Sequence, residues 1–160
     1  MKIKGLYRSA QHVYRGHHGL PAGTEPMSPV PAVQLVAGKG IEGDRYSRLE
    51  GAKGQVTFFA EEAWERLRAE LGVERGHDVF RRNIVVEGSD LNSLIGREFE
   101  VQGIRFRGVE YCKPCHWMDQ AFAPGTLDRL AEWRAGGLRA AVLSDGVLAI
   151  DSPAQKPCSE

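Results

Sequence analysis

The sequence carries no excess charge of either sign, no long apolar run and only three cysteines, and each shortage removes a class of function. Lysine and arginine number 21, and so do aspartate and glutamate, so no net field draws the whole molecule to nucleic acid or an anionic membrane. An anionic ligand would have to be held by a local arginine cluster. No stretch approaches the roughly 18 apolar residues of a membrane span. The opening MKIKGLYRSA alternates charged and apolar residues where a signal peptide would have an apolar core and a small-residue cleavage site. A cytoplasmic protein with no membrane and no nucleic-acid partner is expected. The cysteine count is odd, and thiols stay reduced in that compartment, so cysteine chemistry here means a thiolate or a metal, not a disulfide framework.

The 160 residues are about the length of one ordinary domain. The expected organisation is a single domain over residues 1–152 and a polar tail over 153–160, in which Cys158 has no assigned role. Strands are predicted at Lys2 to Ser9, Ala32 to Ala37, Gln55 to Phe59, Asn83 to Val86, Glu98 to Val101, Ile104 to Tyr111, Ala140 to Leu143 and Val147 to Ile150. Gln102-Gly103 and Ser144-Asp145-Gly146 read as hairpin turns. The segment AEEAWERLRAEL sets Ala63, Leu67 and Leu71 on one face and predicts a helix capped by Gly72. Further helices are expected from Pro114 to Phe122 and from Thr126, as N-cap, to Trp133. The Pro- and Gly-rich run from His17 to Pro31 reads as a long loop, either mobile or part of a site. Short strands with two or three helices and no regular βαβ rhythm predict a mostly antiparallel β-barrel with helical insertions.

CKPCHW, residues 112–117, is the one chemically loaded run. Cys112, Cys115 and His116 spell the c-type haem pattern, but that linkage needs an exported setting. A structural zinc site needs two further ligands, and the remaining histidines show no paired spacing of that kind. A dithiol oxidoreductase normally sets its CxxC after the first strand of an α/β domain, whereas this one follows a late strand. A thiolate at the head of a helix remains, either nucleophile or soft-metal ligand, beside the plainer alternative of two small buried cysteines.

Three other stretches concentrate Gly, Arg and Asp: GKGIEGDRY (38–46), FRRNIVVEG (80–88) and GGLRAAVLSDG (136–146). Arginine forks and glycine-exposed N–H groups are suited to holding phosphate or another planar oxyanion. Singly, each reads as a solvated turn. In order, with CKPC between the second and third, they resemble the MOSC domain family, named after the C-terminal domain of molybdenum cofactor sulfurase, in its small stand-alone bacterial branch.

The resemblance implies a mostly β, MOSC-type antiparallel β-barrel that binds molybdenum cofactor (molybdopterin). It matches Cys115 to the metal ligand, with Cys112 as second candidate, and it matches Arg45, Arg82, Asn83, Arg139 and Asp44 to the cofactor pocket. It further implies a molybdenum-dependent reductase of N-hydroxylated or N-oxygenated small molecules, fed electrons by a separate donor protein. The alternative is a carrier of persulfide sulfur or of the cofactor, without its own turnover.

Overall fold

The computed structural model describes residues 1–13, 25–49 and 51–151. The expected tail at 153–160, with Cys158, and most of the loop predicted from His17 to Pro31 lie outside the described residues. The strands are β1 (Lys2–Arg8), β2 (Ser28–Pro29), β3 (Ala32–Val36), β4 (Gly40–Ile41), β5 (Val56–Ala60), β6 (Ile84–Glu87), β7 (Glu98–Val101), β8 (Ile104–Tyr111), β9 (Leu138–Val142) and β10 (Gly146–Ala149). The helices are α1 (Glu61–Leu71), α2 (Trp117–Ala121) and α3 (Thr126–Glu132).

Seven strands form one sheet in the order β2-β1-β6-β5-β9-β8-β7, and three form a second in the order β10-β3-β4. Strand alternation then builds two cores. Val56, Phe58, Ile84, Leu138 and Phe106 face Val33, Leu35, Ile41 and Leu148 of the small sheet. Phe59 points the other way, onto Ala63 and Leu67 of α1, Met118, Phe122 and Leu130. Because β5 and β6 are covered on both faces, they are apolar apart from Thr57 and Glu87. They also pair in parallel, joined by α1 as a crossover. No helix among the described residues is long and apolar enough to cross a membrane.

α1 forms as its pattern predicts. Leu67 is fully buried, an effect of about 1.5–3 kcal/mol, and Gly72 ends the helix at φ 64°, its N–H on the Arg68 carbonyl. Gln102 and Gly103 close the β7–β8 hairpin.

Four expectations are corrected. The Ser144–Gly146 turn does not close a hairpin: β9 pairs with β5 and β8, while β10 crosses to β3 in the other sheet. Its hydrogen bonds go to both sheets, since Ser144 Oγ accepts from Arg105 N at 2.9 Å and Asp145 Oδ1 from Ala37 N at 2.7 Å. The mostly β, helix-bearing class stands, but the sheets do not close into a barrel among the described residues. One reason is local: the Gln102 side-chain amide donates to the Ala149 carbonyl (2.9 Å) and accepts its N–H (3.0 Å), where an added strand would pair. Finally, the helix expected from Pro114 starts only at Trp117, because Cys112 N still donates to Gly137 O (2.9 Å) and Pro114 keeps its predecessor extended. Thr126 is not the N-cap of α3 either. Gly125 is, and Thr126 Oγ1 donates to Ala123 O at 2.7 Å.

Gly108 admits no side chain, since a Cβ there would lie 2.1 Å from the Leu94 carbonyl oxygen. Gly108→Ala should lower the thermal midpoint by roughly 3–10 °C, from an overpacking cost of about 1–3 kcal/mol. An unchanged melting curve by circular dichroism would contradict this packing.

Tyr7 on β1 meets His77 Nδ1 at 3.1 Å, and His77 Nε2 meets Glu61 Oε2 at 2.6 Å, tying β1 to α1. Burial, then the charges of Asp78 and Glu61, raise the Tyr7 phenol above its ordinary pKa of 10.0. The folded protein therefore holds this proton more tightly than the unfolded chain, and the stabilisation is present below pH 10.0 and lost as pH rises through the folded value. Tyr7→Phe should flatten the alkaline fall in stability, measured by urea midpoints through this range. Parallel curves for the two proteins would refute it.

Candidate functional site

Asp44 precedes a short 3-10 turn, Arg45–Arg48, and caps it by accepting from Tyr46 N at 3.3 Å through Oδ2. Its other oxygen, Oδ1, accepts from Ser9 N (2.9 Å), Arg45 Nη1 (3.2 Å) and Asn83 Nδ2 (3.2 Å). The carboxylate is wholly buried, and a buried charge persists when it is paired and hydrogen-bonded in this way. Asn83, just before β6, is equally buried. Its Oδ1 accepts from Thr57 N (3.2 Å) and Thr57 Oγ1 (3.0 Å), and its Nδ2 donates to Tyr7 O (3.2 Å) and Asp44 Oδ1 (3.2 Å). A side-chain amide has two donors and two acceptor sites. All four are engaged, so Asn83 pins β1, β5 and the Asp44 turn to one another.

The arginines divide by what they touch. Arg45 is buried and donates to Asp44, to Met27 Sδ (3.3 Å) and to the Arg81 carbonyl (3.0 Å). Arg82, 9% exposed, grips the Gly136 carbonyl with both Nε (3.0 Å) and Nη2 (2.9 Å), and Phe80 O with Nη1 (3.1 Å). Arg139 is half-exposed on β9. It pairs with Glu110 at 3.3 Å and packs its stem against Gly54, where a Cβ would come within 2.2 Å of Arg139 Cγ. Burial works against its charge, but the charges of Cys112, Tyr46 and Glu110, with a hydrogen bond to Cys112, outweigh burial and raise its pKa. Its Nε is buried and, among the described residues, has no hydrogen-bond partner.

The two cysteines of CKPC differ in setting. Cys112 is buried beside Arg139, and Cys115 is exposed, ahead of α2, its carbonyl accepting from Met118 N at 2.9 Å. The structure thus brings Asp44, Arg45 and Asn83 into one network and Arg139 to Cys112. No hydrogen bond or ion pair joins the Cys115 side chain to these arginines among the described residues. Among the described residues, no three His, Cys, Asp or Glu side chains converge to hold a metal ion. A metal arriving with its own organic chelator needs few protein donors. The orphaned Arg139 Nε, next to a thiol and a glycine-lined stem, is the one observation that fits such an anionic group.

Sequence reasoning missed Arg81. It stands in the left-handed region at φ 56°, donating to Glu25 O (2.8 Å), Ser9 Oγ (3.0 Å) and Gln11 O (3.0 Å). Thr57 and Gly54 were missed as well, because an ordinary strand residue and a lone glycine carry no spacing signal. In the central network, Asn83→Ala would leave the Thr57 hydroxyl proton and Thr57 N–H without their acceptor and weaken Asp44. At ~1–3 kcal/mol for each stranded group, it should lower unfolding free energy by at least about 2 kcal/mol in urea titrations. A loss under about 0.5 kcal/mol, the scale of an ordinary surface change, would remove Asn83 from this role.

Comparison with known proteins agrees with this frame. The MOSC domain matches residues 44–154, a span that opens on Asp44 and contains Asn83, the two cysteines of CKPC and Arg139. No curated protein matches the chain. Among solved structures, the YuaD protein from Bacillus subtilis is similar over 92% of this chain and 90% of its own, at 18% identity and TM-score 0.68. YiiM from Geobacillus stearothermophilus is similar over 95% and 72%, at 14% identity and TM-score 0.69. YiiM from Escherichia coli is similar over 94% and 67%, at 14% identity and TM-score 0.64. At such identities these neighbours speak for the fold alone. With a family model matched over residues 44–154, well over half of its length, this chain belongs to the MOSC domain family.

Proposed function

We propose that the protein binds molybdenum cofactor between Arg139 and the CKPC loop and reduces N-hydroxylated or N-oxygenated small molecules there. The observation that carries this reading is the buried, unpartnered Arg139 Nε beside Cys112, in a family associated with that cofactor. When bound, the group would supply a redox metal able to accept an oxygen atom, with electrons restored by a separate donor protein.

The chain's own residues would do the holding. Cys115 is the proposed metal ligand, exposed and so within reach of a bound group, and Cys112 is the second candidate. Arg139 would donate through Nε and neutralise the anionic end, a charge-assisted contact. Arg45 and Arg82 add positive charge from behind, with their bonds to main-chain oxygens keeping them in place. Asp44 orients Arg45, and Asn83 keeps the strands beneath in register. A carrier of sulfur or cofactor is the second reading, favoured by the pairing of one buried and one exposed thiol on the same loop.

Metal analysis of protein from a cofactor-competent host tests both readings. Molybdenum should be present in the wild type and fall to background in Cys115→Ala. Arg139→Ala should weaken cofactor binding by about 10- to 100-fold, the range of one charge-assisted hydrogen bond. Loaded wild type should consume an N-hydroxylated purine with a chemical electron donor. Bound molybdenum without turnover would favour the carrier, and no molybdenum in wild type, Cys112→Ala and Cys115→Ala alike would end the cofactor reading.

A further inference from the structure

We infer that Arg82 is a positioning residue for the thiol loop, acting through the main chain of Gly136 and Gly137. Its guanidinium forks onto one acceptor, the Gly136 carbonyl, at 3.0 and 2.9 Å, and is anchored from behind by Phe80 O at 3.1 Å. Gly136 is in turn the surface on which CKPC rests. A Cβ there would lie 2.4 Å from the Cys112 carbonyl oxygen and 2.9 Å from Pro114 N. The next residue completes the seam, because Gly137 O accepts from Cys112 N at 2.9 Å. Gly137 is itself pressed onto the sheet at φ 114°, where a Cβ would meet Phe58 O at 2.4 Å and Arg82 Nε at 3.3 Å. Tyr111 fixes the same dipeptide from the thiol side, its hydroxyl accepting from Gly136 N at 3.1 Å.

The chain of contacts therefore runs from Arg82 to Gly136-Gly137 and from there to Cys112 and Pro114. A planar fork suits this task, since two parallel N–H bonds fix the direction of a carbonyl as well as its distance. The glycines are needed because two backbones approach here within side-chain distance. The Arg-Arg pair of FRRN thus does two separate jobs. Arg81 gathers main-chain oxygens around Ser9, and Arg82 sets the floor beneath Cys112. As a statement about cofactor binding this rests on the function proposed above, whereas the hold on the loop itself is a property of the apoprotein.

Alkylation of the apoprotein by iodoacetamide, followed cysteine by cysteine by mass spectrometry, reads that hold directly. In wild type Cys115 should react and Cys112 should be protected. In Arg82→Gln the Cys112 rate should rise at least about tenfold, as local opening replaces a charge-assisted fork. Arg82→Lys, which offers donors without the planar fork, should fall between the two, a graded rescue that general destabilisation would not produce. Val33→Ala, which loosens the core between the sheets, should leave Cys112 protected. A folded Arg82→Gln protein with a Cys112 rate within about twofold of wild type, well short of the tenfold that 1.4 kcal/mol represents, would overturn the inference. Should Arg82→Gln fail to fold, Gly136→Ala carries the test. Its added Cβ should expose Cys112 likewise, and continued protection would count against the proposed seam. Because no metal is involved, failure here is separable from failure of the molybdenum reading.

Discussion

The buried contact between Asp44 and Asn83 is the constraint on which the rest of the site depends. A carboxylate with no exposure is expensive to bury unless every lone pair is answered, and here Ser9, Arg45, Tyr46 and Asn83 answer them. Asn83 passes the restraint on to Thr57 and Tyr7. Three segments that are far apart in sequence are thereby locked at one end of the parallel β5–β6 pair. Polar networks of this kind are rigid when complete and disruptive when one member is missing.

Around that lock, the arginines follow a common rule with one exception. Buried guanidinium groups need acceptors in place of water, and Arg45 and Arg82 find them in main-chain carbonyls, as does the partly buried Arg81. Each thereby becomes part of the frame, fastening turns that have few backbone partners of their own. Arg139 differs because its neighbours are a thiol, a carboxylate and a phenol, and one of its donors is left unanswered. That difference separates the arginines whose bonds fasten the frame from the one that keeps an unanswered donor.

The division of labour was partly readable in advance. The four Gly/Arg/Cys motifs, their order, the residues Asp44, Arg45, Asn83 and Arg139, and helix α1 with its Gly72 cap were all visible, because each leaves a local signature of spacing or turn chemistry. The roles within the motifs were less visible. From sequence Asn83 could contact a cofactor or pin a loop, and in the structure its side-chain amide is fully engaged within the protein. Arg81 and Arg82 are adjacent and chemically identical, yet they reach different carbonyls because φ 56° at Arg81 turns the chain between them. The Ser144–Gly146 signal correctly marked a reversal and was silent on which sheet would receive the next strand.

What the sequence by itself determined is the family, the longer strands and helix α1, and the short list of reactive side chains, because these depend on local periodicity and on motifs within a few residues. What only the tertiary structure decided is which of those side chains have hydrogen-bonding capacity left. Donors and acceptors are used up by partners tens of residues away, such as Gly136 for Arg82 and Thr57 for Asn83. The same long-range pairing placed Cys112 in the interior beside Arg139 and left Cys115 at the surface, although three residues of sequence separate them.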